Sequence, residues 1–267
     1  MKQLTKKICA GLLVTSMLFA LTACKGNTES VAAIKKDGVL KVGCKQDVLN
    51  FGYLNPETNS YEGLEIDIAY EIAAEIFDCS VEEAKDKVEF TGVNATTRGP
   101  LLDNGEIDVV LATFTITEER KQSWNFSAPY YTDAVGFLVL KDSGIQTTED
   151  LEGKVIGVSN AATTKDAVTE YLGGKKINVT FKEFDTYPNI KVALSSGNID
   201  VFSVDRGILS SYADDTTFML EDRFKEQDYG AATKLDNKEL TELVDKVIKD
   251  MIADGRMDEY KEKYNLK

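Results

Sequence analysis

Between residues 94 and 131 the sequence reads Asn94-Ala-Thr-Thr-Arg-Gly-Pro100, then Asp108-Val-Val-Leu-Ala-Thr-Phe-Thr-Ile-Thr-Glu-Glu-Arg120, then Asn125-Phe-Ser-Ala-Pro-Tyr-Tyr131. The apolar run Val109–Ala112 leads directly into threonines and Arg120, which predicts a buried strand whose carboxyl end opens into a polar loop. In an open α/β sheet, small ligands bind at that end of the strands. The stretch therefore predicts an α/β fold with a ligand site at its polar end.

Two arginines follow predicted strands in this region. Arg98 comes after the strand pattern Val88–Gly92, and Arg120 comes after the pattern Ile107–Ala112, so both side chains can reach one crevice above the sheet. Two guanidinium groups there favour a ligand with two carboxylates, because each binds a carboxylate through paired hydrogen bonds. The alternative is two ordinary surface arginines with solvated heads, and the spacing alone does not exclude it.

The first 24 residues have the pattern of an export signal. Three lysines precede an apolar run from Ile8 to Ala20, and Leu21-Thr-Ala-Cys24 resembles a bacterial lipobox. The apolar run is too short for a comfortable membrane span, so we expect residues 1–23 to be a cleaved signal peptide. Residues 24–30 would then be a short polar tether that carries lipid on Cys24. A plain secretory signal is the alternative.

The rest of the chain is strongly acidic. Without the three lysines of the signal, 28 basic side chains face 45 acidic ones, a net charge of about −17. Such a charge excludes nucleic acid as a partner. It also keeps the protein off an anionic bilayer, so lipid on Cys24 is the only membrane attachment that we expect.

The composition argues against catalysis. There is no histidine, which removes imidazole chemistry and the commonest metal ligand; we expect no catalytic residue, no metal and no cofactor. Cys9 lies in the signal peptide and Cys24 would carry the lipid, which leaves Cys44 and Cys79. A disulfide between these two is compatible with an extracellular protein, but their positions at opposite ends of a strand–helix unit favour two buried free thiols.

Strand and helix patterns alternate along most of the chain. After an aperiodic loop at 45–62, apolar spacing predicts an amphipathic helix over Leu64–Phe77 with its acidic residues facing outward. The alternation that follows favours mostly parallel sheets with helices on both faces. The strand Ala134–Leu140 is long enough to cross between two lobes, and residues 238–264 predict two amphipathic helices.

From Gly38 to Gly230 the chain resembles the extracellular solute-binding proteins of polar amino-acid ABC importers, family 3, in the branch that binds aspartate and glutamate. Six blocks in order carry the resemblance: Val42–Val48, Thr96–Gly105, Ala112–Arg120, Ala162–Lys165, Tyr187-Pro188 and Phe202–Asp205. The resemblance implies a periplasmic-binding-protein type II fold, with two α/β lobes, each a mostly parallel sheet flanked by helices, joined by two hinge crossovers. It places lobe 1 at 31–133 and 229–267 and lobe 2 at 134–228, and it implies that the lobes close around the ligand.

The resemblance also assigns ligand contacts. Arg120 would bind the α-carboxylate, helped by Thr115 and by the amide of Thr163 at the start of a helix with free amides, beside Thr164. Asp205 would accept from the ammonium group, together with the carbonyl of Thr113. Taken alone, Asp205 is equally suited to cap the helix that follows it, and Thr164, like Thr97, Phe51 and Tyr130, is as suited to packing or capping as to lining the pocket.

Selectivity depends on Lys45 and Arg98. In glutamine-binding members of the family, the position of Lys45 is acidic or neutral and the position of Arg98 is apolar. Ala95 stands where those members have an aromatic ring that stacks on the ligand. Lys45, Arg98 and Arg120 are positive and Asp205 is negative, so the four side chains carry a net charge of +2. A ligand of charge −1 therefore leaves less uncompensated charge in the pocket than a neutral or basic ligand does. A mismatch of about 3 kcal/mol corresponds to roughly hundredfold discrimination. The residues favour glutamate or aspartate without choosing between them, because one methylene changes affinity by only about 1–3 kcal/mol.

The function that follows is a monomeric, lipid-anchored receptor on the outer face of the cell membrane. It would capture glutamate or aspartate and deliver it to an ABC permease. One alternative is a binding protein for a neutral polar amino acid such as glutamine. Another is a dehydratase acting on prephenate or arogenate, as a few proteins of this fold are, with Lys45 or Glu65 as acid or base. A surface adhesin or sensor is not excluded by the sequence.

Overall fold

The computed structural model describes residues 30–266 of the chain. The predicted signal peptide, the lipidation site Cys24 and the tether up to residue 29 lie outside the described residues. Within residues 30–266, none of the helices combines the length and the apolar character that a bilayer crossing requires.

Helices and strands alternate along the described chain. The helices are α1 (Val31–Asp37), α2 (Leu64–Phe77), α3 (Val81–Ala84), α4 (Arg98–Asn104), α5 (Thr164–Lys175), α6 (Tyr187–Ser195), α7 (Arg206–Ser210), α8 (Lys238–Asp254) and α9 (Arg256–Lys263). The strands are β1 (Leu40–Cys44), β2 (Asp47–Val48), β3 (Gly52–Asn55), β4 (Ser60–Glu62), β5 (Val88–Gly92), β6 (Val109–Leu111), β7 (Trp124–Phe126), β8 (Tyr131–Leu140), β9 (Val155–Ser159), β10 (Thr180–Phe184), β11 (Val201–Asp205), β12 (Thr217–Met219), β13 (Phe224–Tyr229) and β14 (Ala232–Lys234).

The first sheet has five strands in the order β5-β1-β6-β14-β7. Strands β5, β1 and β6 run parallel, so that Val42 pairs with Phe90 on one side and with Val109 on the other. Strand β14 is antiparallel to both β6 and β7. The sheet thus combines two separate parts of the chain, and we propose residues 31–133 and 229–267 as the limits of lobe 1.

The second sheet follows the order β10-β9-β11-β8-β12, and β13 also pairs with β8. Strands β10, β9 and β11 are parallel, as predicted. The long strand β8, which enters from lobe 1, is antiparallel to β11, β12 and β13. Because β8 leaves lobe 1 and β13 returns to it, Tyr131 and Tyr229 pair where the two crossovers lie side by side. We propose 134–228 as the limits of lobe 2.

One predicted loop is a small sheet instead. Residues 45–62 contain the antiparallel ribbon β2-β3-β4, which the sequence reading missed because strands of two to four residues are too short to show an alternating pattern. The ribbon folds over the carboxyl end of β1. It carries Phe51, which is fully buried and contacts the rings of Tyr131 and Tyr229 at 5.1 and 5.7 Å between centroids.

Helix α2 packs its predicted apolar face into the core, but not all of its acidic residues face outward. Ile68, Ile72 and Ile76 are fully buried, as expected from their spacing. Glu65 and Glu71 are buried as well, against the prediction. Glu71 is held by Arg256 and accepts a hydrogen bond from Tyr260 at 2.8 Å, so its burial is compensated within lobe 1.

The apolar core is continuous between the lobes. One cluster of buried residues joins both sheets through side chains at their contact: Phe51, Tyr130, Tyr229, Tyr187, Phe202 and Val204. Cys44 is buried and Cys79 is partly buried, and both are free thiols. The two lobes therefore touch at the level of the carboxyl ends of β1, β6 and β11, where the predicted ligand residues lie.

Candidate ligand-binding site

The structure brings four predicted residues together in the buried region where the two sheets meet. Lys45 follows β1, Arg98 begins α4, Thr113 follows β6 and Asp205 ends β11, and each is at most 5% exposed. Lys45 lies close enough to Arg98 and Asp205 for both charges to act on it. Burial and Arg98 lower the pKa of Lys45 to about 8, so the ammonium group remains mainly charged at neutral pH.

The two arginines flank one aromatic ring that the sequence reading did not assign to the site. The guanidinium carbon of Arg98 lies 3.8 Å from the centroid of Phe114, and that of Arg120 lies 4.8 Å from it. Arg98 Nη1 donates to the carbonyl of Ala112 at 2.7 Å, and Arg120 Nη1 donates to the carbonyl of Thr115 at 2.7 Å. Backbone and ring therefore hold both guanidinium groups in place.

Thr113 has an unusual backbone. Its φ is +45°, in the left-handed region that a β-branched residue rarely adopts. Its amide donates to Glu65 Oε1 at 2.5 Å, and its carbonyl accepts from Arg98 Nη1 at 3.3 Å. The carbonyl that we expected to serve a ligand ammonium thus has one lone pair engaged by Arg98 and a second one available.

Asp205 does not cap the helix that follows it. The residue occupies the position before α7, but its side chain makes no cap hydrogen bond. Instead, Oδ2 accepts from the hydroxyl of Tyr229 at 2.5 Å. Burial raises the pKa of Asp205 to about 7, with Asp133 adding to the rise and the hydrogen bond from Tyr229 opposing it. The capping alternative is therefore excluded in this structure.

The start of α5 meets Arg120 across the cleft. Arg120 Nη2 donates to the carbonyl of Ala161 at 3.2 Å, and Thr163 donates to Gln227 at 2.7 Å. Thr163 is the residue before the helix, and Thr164, its first residue, is buried. A cleft of 680 Å³ lies beside these residues and is lined by Thr115, Arg120 and Thr163 among others. Lys45, Arg98 and Asp205 lie outside its lining.

Thr97, by contrast, is exposed, and its hydroxyl accepts a hydrogen bond from the amide of Asn94 at 3.0 Å. Thr97 therefore acts in the local turn.

Four buried side-chain atoms of this group have no hydrogen-bond partner within the described part of the chain. They are Glu65 Oε2, Arg98 Nε, Thr113 Oγ1 and Asp205 Oδ1. An unpaired buried polar atom costs about 1–3 kcal/mol, so their concentration in one place indicates a polar ligand. Because the set includes both carboxylate acceptors and N–H or O–H donors, it suits a ligand that carries both charges, such as an amino acid.

Glu65, Tyr187 and Tyr229 belong to the site but were not predicted as ligand residues. The Lys45 ammonium lies 4.7 Å from the centroid of the Tyr187 ring. Glu65 is fully buried and acts on both Lys45 and Arg98. The sequence could have indicated the burial of Glu65. The residue precedes Ile68 by three positions and Ile72 by seven, so it lies on the apolar face of α2. Burial raises the pKa of Glu65, and the hydrogen bonds from Tyr130 and Thr113 and the charges of Lys45 and Arg98 oppose the rise. When Glu65 and Asp205 are both ionised, the five charged groups sum to +1 rather than +2.

Among residues 30–266, no group of cysteine and acidic side chains is arranged to hold a metal ion.

Comparisons with known proteins give the family. The model of the bacterial extracellular solute-binding proteins, family 3, matches residues 40–267. The sequence is 34% identical over 239 residues to the ABC transporter glutamine-binding protein GlnH of Bacillus subtilis, covering 88% of this chain and 84% of that protein. It is 33% identical over 248 residues to the glutamate-binding protein GluB of Corynebacterium efficiens, covering 88% and 82%.

The fold is similar to the crystal structure of the solute receptor for L-cysteine of Neisseria gonorrhoeae. The TM-score is 0.77 at 26% identity, over 88% of this chain and 93% of the receptor. The two-lobe α/β fold that the sequence predicted is thereby confirmed. Both relatives are named as amino-acid-binding proteins, GlnH as that of an ABC transporter, which agrees with the expectation that the chain is not an enzyme.

Proposed function

The chain belongs to the bacterial extracellular solute-binding proteins of family 3, and we propose that it captures an acidic amino acid, glutamate or aspartate, between its lobes and delivers it to an ABC permease. The observation that carries this proposal is the arrangement of three cations, Lys45, Arg98 and Arg120, around two buried carboxylates. We further propose that the protein is a monomer attached to the outer face of the cell membrane by lipid on Cys24.

The α-amino and α-carboxylate groups have separate partners in this proposal. The α-carboxylate binds Arg120, with the free amides at the start of α5 (Thr163 and Thr164) and the hydroxyl and amide of Thr115 completing its hydrogen bonds. The ammonium group binds Asp205 through Oδ1, the oxygen that has no partner in the described protein. Each ligand charge thus meets a group of opposite sign when the lobes exclude water, which avoids a penalty of several kcal/mol.

Lys45 and Arg98 select the side chain of the ligand. When Glu65 and Asp205 are ionised, the five charged groups carry +1, and glutamate or aspartate of charge −1 brings the closed site to neutrality. A neutral amino acid leaves +1 in a buried site, and a basic one leaves +2. Because uncompensated buried charge is costly, the site favours acidic over neutral and neutral over basic amino acids.

Glutamine is the second candidate ligand. The relatives favour it as much as glutamate, because a glutamine-binding protein and a glutamate-binding protein are 34% and 33% identical to the chain. A glutamine side chain could accept from Lys45 or Arg98 through its amide oxygen. It would not neutralise the charge that these two residues add.

Calorimetry of residues 25–267 against the twenty amino acids tests the proposal. We expect glutamate and aspartate to bind, and glutamine to bind at least about tenfold more weakly. Lys45→Met should weaken glutamate binding more than glutamine binding, so the ratio of the two dissociation constants should shrink. Lys85→Met is the control, because Lys85 is an exposed residue that pairs with Glu82, outside the lining of the cleft, and should leave the ratio unchanged. Equal or tighter binding of glutamine to the unmodified protein would reject the acidic ligand in favour of the neutral one.

A further inference from the structure

Glu65 makes contacts that the ligand proposal does not use. It is the second residue of α2 and is fully buried, although a carboxylate is almost never buried without compensation. Its Oε1 accepts two hydrogen bonds, from the amide of Thr113 and from the hydroxyl of Tyr130, both at 2.5 Å. Helix α2 therefore reaches, through this one oxygen, the loop in which β6 ends.

The Thr113 amide needs this acceptor. Thr113 follows β6 and turns the chain with a φ of +45°, a conformation that a β-branched residue adopts only when its surroundings enforce it. The turn directs Phe114 and Thr115 toward the arginines. Without Glu65 the buried amide would lose its acceptor, and the turn at Thr113 would lose one of the hydrogen bonds that hold threonine in the left-handed region.

The same peptide group also holds Arg98. The carbonyl of Ala112 and the amide of Thr113 belong to one planar peptide, so its N–H donates to Glu65 and its C=O accepts from Arg98 Nη1 at 2.7 Å. The hydrogen bond to the Glu65 oxygen on the N–H side and the hydrogen bond from the Arg98 guanidinium on the C=O side polarise this peptide in the same sense. Glu65 and Arg98 are thus linked through the peptide.

We propose that Glu65 is a positioning residue for ligand recognition, which fixes the Ala112–Thr113 peptide and through it the orientation of Arg98. The proposal rests on the proposed function only in taking Arg98 to face the ligand. The proposed role belongs to Oε1, which bonds Thr113 and Tyr130, and it does not depend on Oε2, which has no hydrogen-bond partner in the described protein. A second possible role, that its charge merely offsets Lys45 and Arg98, makes a different prediction.

Two conservative variants distinguish the effect of the Glu65 hydrogen bonds from the effect of the Glu65 charge. Glu65→Gln keeps an oxygen that can accept from Thr113 and Tyr130 but removes the charge. Glu65→Asp keeps the charge but withdraws the carboxylate by one methylene, so that it no longer reaches both donors. If Glu65 acts by positioning the peptide, Glu65→Gln should bind the preferred amino acid at least about tenfold more tightly than Glu65→Asp does, because only Glu65→Gln keeps an acceptor within reach of both donors.

Glu71→Gln and Glu71→Asp are the matched controls. Glu71 lies on the same helix and is also buried, but it bonds Arg256 and Tyr260 instead of the ligand loop. These variants should lower the melting temperature without changing the dissociation constant of the folded protein. A purely structural role of Glu65 would give the same result at position 65.

The experiment measures dissociation constants by calorimetry and melting temperatures by circular dichroism, and it follows the Thr113 amide by NMR. We expect the Thr113 resonance to stay near its original position in Glu65→Gln and to move in Glu65→Asp. Equal affinities in the two Glu65 variants, or weaker binding by Glu65→Gln, would overturn the proposal. The test uses whichever amino acid the unmodified protein binds best, so a preference for glutamine would reject the acidic ligand and leave the test of Glu65 intact.

Discussion

Asp205 sets the expected pH dependence of the site. Its carboxylate is buried with Tyr229, and the charges of Asp133, Arg120 and Arg98 act on it. Burial in the closed arrangement of the lobes raises the pKa of Asp205 to about 7, so near neutral pH a proton competes with the ligand ammonium group for this carboxylate. A bound ammonium group stabilises the ionised form, so binding lowers this pKa and releases the proton.

Affinity for the amino acid should therefore fall as the pH drops below about 7, approaching tenfold per unit until the pKa of the bound form is reached. Calorimetry at several pH values, in buffers with different ionisation enthalpies, measures both the affinity and the proton released. Tyr229→Phe removes the hydrogen bond that lowers the pKa of Asp205 and should move the midpoint to higher pH. An affinity that stays constant between about pH 5.5 and 8 would contradict the role of Asp205.

The sequence could place most of the charged site residues but not their partners. Lys45, Arg98, Arg120 and Asp205 each follow a strand, and the resemblance to the family supplied their roles. Phe114 and Tyr187 could not be found, because aromatic residues beside strands serve as ordinary core in most positions. Glu65 could have been found from its place on the apolar face of α2, since a carboxylate there must bond something buried.

Gly63 joins the ribbon β2-β3-β4 to helix α2, which carries Glu65. Its φ of 132° and ψ of 170° lie in a region open essentially only to glycine. A Cβ at this position would come within 2.2 Å of the carbonyl oxygen of Phe51. Gly38 also has a positive φ, 78°, but a Cβ there would meet nothing within 4 Å.

We expect Gly63→Ala to destabilise the protein by about 3 kcal/mol or more, and Gly38→Ala by about 1 kcal/mol. The first change adds a collision with backbone to an unfavourable conformation, whereas the second adds only the conformational cost. Urea unfolding followed by circular dichroism measures both values. Similar destabilisation by the two variants would mean that the Phe51 contact does not constrain the start of α2.

At the level of elements, long periodic segments were predicted well and short ones were not. Helix α2 has the bounds that its apolar spacing predicted, because fourteen residues give several turns of evidence. The strands of the ribbon β2-β3-β4 are too short to show an alternating pattern, so the sequence did not predict them. The antiparallel course of β8 in the second sheet depends on where the chain enters from lobe 1, which is a tertiary fact that no local pattern contains.

Contacts away from the ligand residues hold the two lobes together. The hydroxyl of Tyr212 donates to the carbonyl of Asp47 at 2.7 Å, and Ser211 donates to the carbonyl of Leu49 at 3.2 Å. These bonds connect the end of α7 with the ribbon of lobe 1. They favour the closed arrangement of the lobes, and anything that favours closure adds to ligand affinity without adding a contact to the ligand.

Tyr212→Phe should weaken binding of every amino acid by about fivefold, as expected for the loss of about 1 kcal/mol from closure, with the order of preference unchanged. Tyr171→Phe is the control, because the hydroxyl of Tyr171 bonds Asp222 within lobe 2. Calorimetry gives the affinities, and small-angle scattering of the ligand-free proteins reports lobe separation. Equal losses of affinity in the two variants, or a changed preference, would show that the Tyr212 contact does not act through closure.

The crystal structure of the glutamate complex is the most direct test of the central claim, that three cations and two carboxylates enclose an acidic amino acid. We predict the α-carboxylate on Arg120, the ammonium group on Asp205, and the distal carboxylate within hydrogen-bond distance of Lys45 or Arg98. A distal carboxylate that contacts neither residue, or that faces solvent, would contradict the account.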